Sequence, residues 1–143
     1  MRLWHQSLIH YLPRQQLLGQ YRECCALRGN GWGRKHSTVN YVFSYDMSHL
    51  FQYHVLVMHE MAMRKYKLDM AWYSRTYRGK KCKRATLLEV GTFVRKCNEI
   101  IYSEHDNEYL KECLLNLQAK GAELVNGESI SHMLFMLAVK YGI

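Results

Sequence analysis

Apolar residues recur every three or four positions over most of this chain, and this spacing limits the folds that the chain can adopt. Within 143 residues, five segments place their apolar side chains on one side of an α-helix. Segments with the apolar and polar alternation of a half-buried strand are missing, and Asn126-Gly127 lies between two helical segments rather than between strands. The pattern therefore predicts an all-α fold. The predicted helices cover residues 13–28, 46–65, 86–102, 106–120 and 126–137.

Residues that start and stop helices support these boundaries. A proline in the first turn gives up no intrahelical hydrogen bond, so Pro13 suits the start of the first helix, and Gly29 suits its end. Thr86 and Glu89 have the spacing of a capping box. Helix-capping side chains also open the remaining segments, at Asp46, Asp106 and Asn126. We expect a compact bundle of about five helices with long basic loops at residues 29–45 and 72–84.

Charge divides the chain into two parts. The formal net charge is +8, but residues 1–84 contain 15 Lys and Arg against 4 Asp and Glu, whereas residues 85–143 contain 5 against 8. A basic surface favours nucleic acid or an anionic membrane as partner. No run of about 18 apolar residues is long enough to span a membrane. We therefore expect a DNA-binding part at 1–84 and an acidic helical part at 85–143 that packs on the same core.

Cysteines and histidines give no metal-binding pattern. The five cysteines form no C-x-x-C pair and follow no secretory segment, which favours reduced thiols and a cytoplasmic location, nucleoid-associated on DNA. His54 and His59 are five residues apart rather than the four of a helical zinc pair. The sequence therefore predicts neither a metal site nor a cofactor.

The first third of the chain resembles the pyrimidine-dimer DNA glycosylase/AP lyase family. Residues 8–23 (LIHYLPRQQLLGQYRE) are similar to the first helix of the phage enzymes, including the leucine spacing and the final Tyr-Arg-Glu. The resemblance continues through Gly29 and the Arg-Lys-His run at 34–36 into the helix from Asp46, and covers about 65 to 70 residues. None of these motifs is specific to the family by itself, but their order along the chain is.

The resemblance implies a catalytic pair. In this family, an N-terminal α-amine attacks the anomeric carbon of the damaged nucleotide and forms an imine, and the glutamate of Tyr-Arg-Glu assists the proton transfers of β-elimination. These roles fall here on Met1 and Glu23. An α-amine is less basic than a lysine, so more of it is neutral and nucleophilic near pH 7. Without the resemblance, a carboxylate beside an arginine, as in Arg22 and Glu23, is usually an ordinary surface ion pair.

The resemblance also implies a DNA-binding set, in which cationic side chains hold phosphates and aromatic ones stack on bases. Solvated surface charge, and aromatic residues tucked against the core of a linker, remain the alternatives for these positions. The predicted DNA-binding residues are Arg2, Arg22, Arg34, Lys35, His36, Gln15, Trp72, Tyr73 and Lys80.

Three positions depart from the family pattern. Residue 2 is Arg2, which is too large for ordinary removal of the initiator methionine, so the candidate nucleophile is the amine of Met1 itself. Gln16 stands where the phage enzymes have a histidine beside the lesion. Ala26 stands where they have an arginine, and Arg28 is the nearest substitute. The predicted function is a metal-independent glycosylase/AP lyase, monomeric, on damaged duplex DNA; the alternative is a non-catalytic nucleic-acid-binding protein.

Overall fold

The computed structural model of the protein describes residues 1–143 and contains helices, turns and irregular segments but no β-strand. The all-α prediction is confirmed. None of the helices has the length and the hydrophobicity needed to cross a membrane. The five α-helices are α1 (Arg14–Arg28), α2 (Met47–Met63), α3 (Leu87–Val90), α4 (Asn107–Ala119) and α5 (Ile130–Tyr141). Three short 3-10 helices, which the sequence did not predict, are Gln6–Tyr11, Asn40–Ser44 and Met70–Tyr73.

Helices α1 and α2 run antiparallel and form the main helix pair. Near the start of α1, the guanidinium of Arg64 donates a 2.8 Å hydrogen bond to the carbonyl oxygen of Leu12. At the other end of α1, the guanidinium of Arg28 lies 5.1 Å from the ring centre of Phe51. Each helix carries an apolar stripe, and burying the two stripes against each other holds the pair together.

One hydrophobic cluster of 21 buried residues joins the basic and the acidic parts of the chain. The N-terminal segment contributes Leu3, Trp4 and Leu8, all of them buried. Burial of apolar surface is the dominant favourable term in folding, so the acidic part contributes directly to the core beneath the N-terminus. Its members of the cluster are Ile101, Tyr102, Cys113, Leu114, Leu117, Ile130 and Leu137.

The prediction of a long third helix over residues 86–102 is wrong. The capping box of Thr86 and Glu89 is present, but α3 ends after four residues at Gly91, which has a φ of +90°. Beyond it, backbone N–H groups donate to side chains of other elements instead of to a helix. Phe93 donates to the hydroxyl of Ser48 at 2.9 Å, and Ile101 donates to the amide oxygen of Gln6 at 2.9 Å.

The fourth helix begins and ends within one residue of the prediction. Its start is fixed by Asp106, whose side chain accepts from the backbone N–H of Tyr109 at 2.8 Å. The fifth helix begins later than predicted, since Ser129 is the N-cap rather than Asn126. Asn126 has a φ of +60° and donates its side-chain amide to the carbonyl oxygen of His10 at 2.6 Å. A residue that favours helix caps also favours left-handed turns, and the tertiary contact selects the turn.

Candidate active site

The N-terminal segment is fastened to α1 through one buried side chain, Gln20, which is 1% exposed. Its amide nitrogen donates to the carbonyl oxygen of Arg2 at 3.0 Å and to Oε2 of Glu23 at 3.1 Å. Its amide oxygen accepts from the backbone N–H of Trp4 at 2.7 Å and from the hydroxyl of Tyr53 at 2.8 Å. The first residues of the chain therefore lie beside the carboxylate of Glu23.

An open cavity of about 260 Å³ lies at this point of the molecule. It contains both predicted catalytic residues, and it is bounded by the N-terminal segment, α1, the loop after α1 and the end of α4. No group of three or more His, Cys, Asp or Glu side chains in the structure is arranged to hold a metal ion. The lining residues of the cavity are Met1, Arg2, Trp4, Glu23, Thr38, Asn116 and Lys120.

Glu23 is half-buried among positive charges. Burial raises the pKa of its carboxyl group, and this effect exceeds the lowering by a backbone hydrogen bond from Arg2 and by the positive charges of the amino terminus, Lys120 and Arg22. Desolvation disfavours the charged form of a carboxyl group, which explains the direction of the shift. A carboxyl whose pKa lies above its ordinary value is better suited to accept and return protons near neutral pH.

Arg2 is held against α4 rather than free in solvent. Its guanidinium lies 3.5 Å from the carboxylate of Glu112 and within 6 Å of the ring centres of Trp4 (5.7 Å) and Tyr109 (5.8 Å). The side chain of Arg2 is 19% exposed. One edge of this arginine lines the cavity, while the rest of it joins the N-terminal segment to the acidic part.

The remaining predicted phosphate contacts near the cavity are exposed. Arg22 lies one residue before Glu23 on the solvent side of α1 and forms no salt bridge. The run Arg34-Lys35-His36 is also exposed. The loop that carries it is tied to the N-terminus, because the hydroxyl of Thr38 donates to the carbonyl oxygen of Met1. The structure therefore brings this basic loop beside the cavity.

The predicted aromatic contacts lie elsewhere. Trp72 is 9% exposed, and its ring centre lies 5.1 Å from the guanidinium of Arg28 inside the protein. Tyr73 is half-buried, and Lys80 is exposed at a second groove of about 390 Å³ beside the end of α1. Gln15 is exposed in the first turn of α1 and is absent from the lining of the cavity. None of these four residues is brought to Met1 and Glu23.

Arg28 does not replace the missing arginine at Ala26. Ala26 is exposed, whereas Arg28 is 6% exposed and uses its donors inside the protein. Its guanidinium donates to the carbonyl oxygens of Trp72 and Ser74 at 2.7 Å each and contacts Nδ1 of His54 at 2.9 Å. The suggested substitution is therefore wrong, since a side chain committed to these partners cannot also reach a solvent-side phosphate.

Five residues of the cavity region were missed in the sequence: Gln20 beneath the cavity, and Trp4, Thr38, Asn116 and Lys120 in its lining. Gln20 had a signal, because it stands between Leu17 and Cys24 on the apolar stripe of α1, where a polar residue needs a buried partner. Asn116 and Lys120 line the cavity from the end of α4. They are more than 90 residues from Glu23 along the chain, so no local pattern links them to Met1 and Glu23. The ammonium of Lys120 lies 5.3 Å from the ring centre of Trp4.

The fold and the cavity together define a class: a small all-helical protein that presents an N-terminal amine beside a half-buried carboxyl group, with arginines and lysines around them. The family model described as pyrimidine dimer DNA glycosylase matches residues 1–74, just over half of the chain. The chain belongs to this family, and the resemblance read from its motifs is confirmed. No curated protein and no solved structure matches the chain. Family membership supports a general role as a DNA glycosylase.

Proposed function

We propose that this protein is a glycosylase/AP lyase that acts on a base lesion in duplex DNA through the α-amine of Met1. The observation that carries the proposal is the shared cavity of Met1 and Glu23, in which burial raises the pKa of the carboxyl group. A nucleophilic amine and a proton carrier are the two groups that imine chemistry at a sugar carbon requires. Pyrimidine dimers are the substrate that the family description suggests.

The proposed reaction begins when the lone pair of the Met1 amine attacks C1′ of the damaged nucleotide. The bond from C1′ to the base breaks, and the base leaves with the electron pair and takes a proton. The amine then gives its proton to Glu23, its lone pair forms the C=N bond of the imine, and the bond from C1′ to the ring oxygen breaks while that oxygen takes the proton from Glu23. Glu23 then assists removal of a C2′ proton. The bond from C3′ to its phosphate oxygen breaks by β-elimination, and water releases the enzyme from the imine.

A basic surface around the cavity would hold the DNA strand. Lys120 lines the cavity, and Arg22 precedes Glu23 at an exposed position of α1; the positive charges of both act on the Glu23 carboxyl group. The exposed run of residues 34–36 lies on the loop that is tied to Met1. Lysines and arginines that contact phosphates release counterions, which makes binding strongly dependent on salt. We assign Arg22 and Lys120 to the flanking phosphates. Lys120 belongs to the acidic part, outside the residues that match the family.

The test is borohydride trapping on duplex DNA that contains one abasic site. Borohydride reduces an imine to a stable amine, so we expect a covalent protein–DNA band with the unmodified chain and none with protein acetylated at Met1 alone. Glu23→Gln should bind the DNA but trap and cut at least tenfold more slowly, because the loss of a general acid or base costs about 10²- to 10⁴-fold. Glu123→Gln, at an exposed position, is the matched control.

The outcomes separate the candidate functions. Trapping that survives acetylation of Met1 would exclude its amine as the nucleophile. Cutting by Glu23→Gln at the rate of the control would exclude Glu23 from the proton transfers of the reaction. Salt-sensitive binding without any covalent band would favour the non-catalytic nucleic-acid-binding alternative.

A further inference from the structure

Gln20 contacts the carboxylate of Glu23 and the backbone that follows Met1, although nothing in the proposed reaction passes through it. A glutamine side chain offers two N–H donors and two acceptor lone pairs. In this structure the donors bind the carbonyl oxygen of Arg2 and Oε2 of Glu23, and the acceptor positions bind the N–H of Trp4 and the hydroxyl of Tyr53. All four hydrogen-bonding positions are filled, and the side chain is 1% exposed.

These four bonds connect three separate pieces of the molecule. Arg2 and Trp4 belong to the N-terminal segment, Glu23 follows Gln20 by three residues on the same side of α1, and Tyr53 comes from α2. Tyr53 adds to the connection, because its one hydroxyl proton is shared between the amide oxygen of Gln20 and the carbonyl oxygen of Trp4, 2.6 Å from the hydroxyl oxygen. Met1 is one peptide unit from Arg2, so the amide of Gln20 limits how far the amine can move from the carboxylate.

We infer that Gln20 is a positioning residue that fixes the Met1 amine and the Glu23 carboxylate at a working separation. This inference rests on the proposed function, since it assigns the cavity to imine chemistry. A neutral donor also suits this position, because it orients the carboxylate without adding a positive charge that would favour its ionised form. An arginine or lysine would supply that charge, and an ionised glutamate would supply no donor at all.

Gln20→Glu tests the inference with little change in shape. The ionised variant loses both donors and places a like charge beside Glu23, while it keeps the acceptors for Trp4 and Tyr53. We expect trapping and cutting to slow by about 10- to 100-fold, the scale expected for a misplaced reacting group. Binding of the same abasic duplex should change less than threefold. Gln118→Glu adds the same charge at an exposed position of α4 and is the control.

Two readouts distinguish positioning from a purely structural role. The pH dependence of the trapping rate should move to higher pH in Gln20→Glu, because a neighbouring negative charge disfavours ionisation of Glu23. The carboxyl carbon of Glu23, followed by NMR through a pH titration, should show the same upward shift without any DNA. A variant with the wild-type rate per folded molecule and the wild-type Glu23 titration would overturn the inference.

A milder variant covers the case in which Gln20→Glu does not fold. Tyr53→Phe removes one donor to the amide oxygen and releases part of the connection, so a threefold to tenfold slower rate with unchanged DNA binding is expected. An unchanged rate in this variant counts against positioning. Absence of trapping by the wild-type protein would instead overturn the proposed function, and the NMR titration would then decide whether Gln20 holds Glu23.

Discussion

Arg28 illustrates how one residue can be charged and yet structural. Its guanidinium is buried with no carboxylate partner, and burial lowers the pKa of Arg28 to about 10, which still leaves it charged at neutral pH. Backbone carbonyl oxygens and the faces of Phe51 and Trp72 take the place of an anion. These contacts fasten the segment that follows Trp72, and through it Lys80, to the end of α1.

Replacing Arg28 by methionine keeps the length of the side chain and removes its donors. Carbonyl oxygens of Trp72 and Ser74 then lose their partners inside the protein. Since each unsatisfied buried polar group costs about 1–3 kcal/mol, the free energy of unfolding of Arg28→Met should fall by about 3 kcal/mol. Urea denaturation measures this change. The exposed control, Arg22→Met, should stay within about 0.5 kcal/mol of the wild type, and equal losses in the two variants would contradict the assignment.

Single residues also differ in how clearly the sequence indicates them as candidate site residues. Glu23 carries its own signature, because Tyr-Arg-Glu is a contiguous motif on a helix. The sequence around Trp72 is misleading, because an aromatic residue among cations has the pattern of a base-stacking site. The pattern is the same whether the ring faces solvent or packs against Arg28. The direction of a side chain depends on what packs against it, and that information is absent from residue type.

At the scale of elements, α3 shows how tertiary contacts override a helical pattern. The apolar spacing of residues 86–102 is compatible with a helix, but Leu87 and Leu88 are 68% and 94% exposed, so the helical start buries little apolar surface. After Gly91, the ring of Phe93 instead stacks on the ring of His49, with ring centres 3.9 Å apart and planes 10° from parallel. Packing of this kind outweighs the few tenths of a kcal/mol per residue of helix propensity.

Gly91 makes this change of direction possible, and replacing it tests how much the turn after α3 depends on a glycine. A Cβ atom at residue 91 would collide with the carboxylate of Asp46, and the φ of +90° strains any L-residue. Gly91→Ala should therefore lower the free energy of unfolding by about 3 kcal/mol. Gly127→Ala has a φ of +80° but open space around it, so about 1 kcal/mol is expected. Thermal or urea unfolding that gives equal losses would argue against the collision.

Viewed as a whole, the molecule buries three histidines in a form that resists protonation. Burial lowers the pKa of His5 and of His54, and it lowers that of His105 to about 3. His105 accepts from the backbone N–H of Gln6 at 3.0 Å through Nδ1, so its other nitrogen is left to donate to the hydroxyl of Tyr41 at 2.8 Å. These contacts join the N-terminal segment, the loop after α1 and the acidic part.

The protein should therefore lose stability in acid. Between the ordinary histidine pKa of 6.5 and the lowered value of about 3 in the folded state, the unfolded chain binds the proton and the folded chain does not. Stability then rises with pH in this window and falls as pH drops through it, by up to about 1.4 kcal/mol per pH unit for each histidine. Urea denaturation at intervals between pH 7 and pH 4 measures the slope.

His105→Gln separates this histidine from the carboxyl groups that also titrate in acid. The free energy of unfolding of this variant should change less steeply with pH than that of the wild type. The difference in slope should correspond to about one bound proton and should be clearest just below pH 6.5. Identical slopes would mean that His105 does not contribute. Glu23 acts in the opposite direction, because a raised pKa in the folded state stabilises the protein at low pH and that contribution is lost as pH rises.

The sequence by itself determined the helical class, the boundaries of α1, α2 and α4 to within one or two residues, the division of charge and the family. All of these depend on neighbours within a few positions: apolar spacing, caps and contiguous motifs such as Tyr-Arg-Glu. It also indicated Met1 and Glu23 as a pair, through the resemblance of residues 8–23.

Only the tertiary structure decided what surrounds that pair. Gln20 becomes a connection because Arg2 and Trp4 fold back onto α1, and Lys120 reaches the cavity because α4 packs under the N-terminal segment. The physical reason is the same in each case. Contacts across 16 to more than 100 positions form when distant apolar surfaces are buried together, and the resulting arrangement of polar groups is set by the shape of the whole core rather than by local sequence.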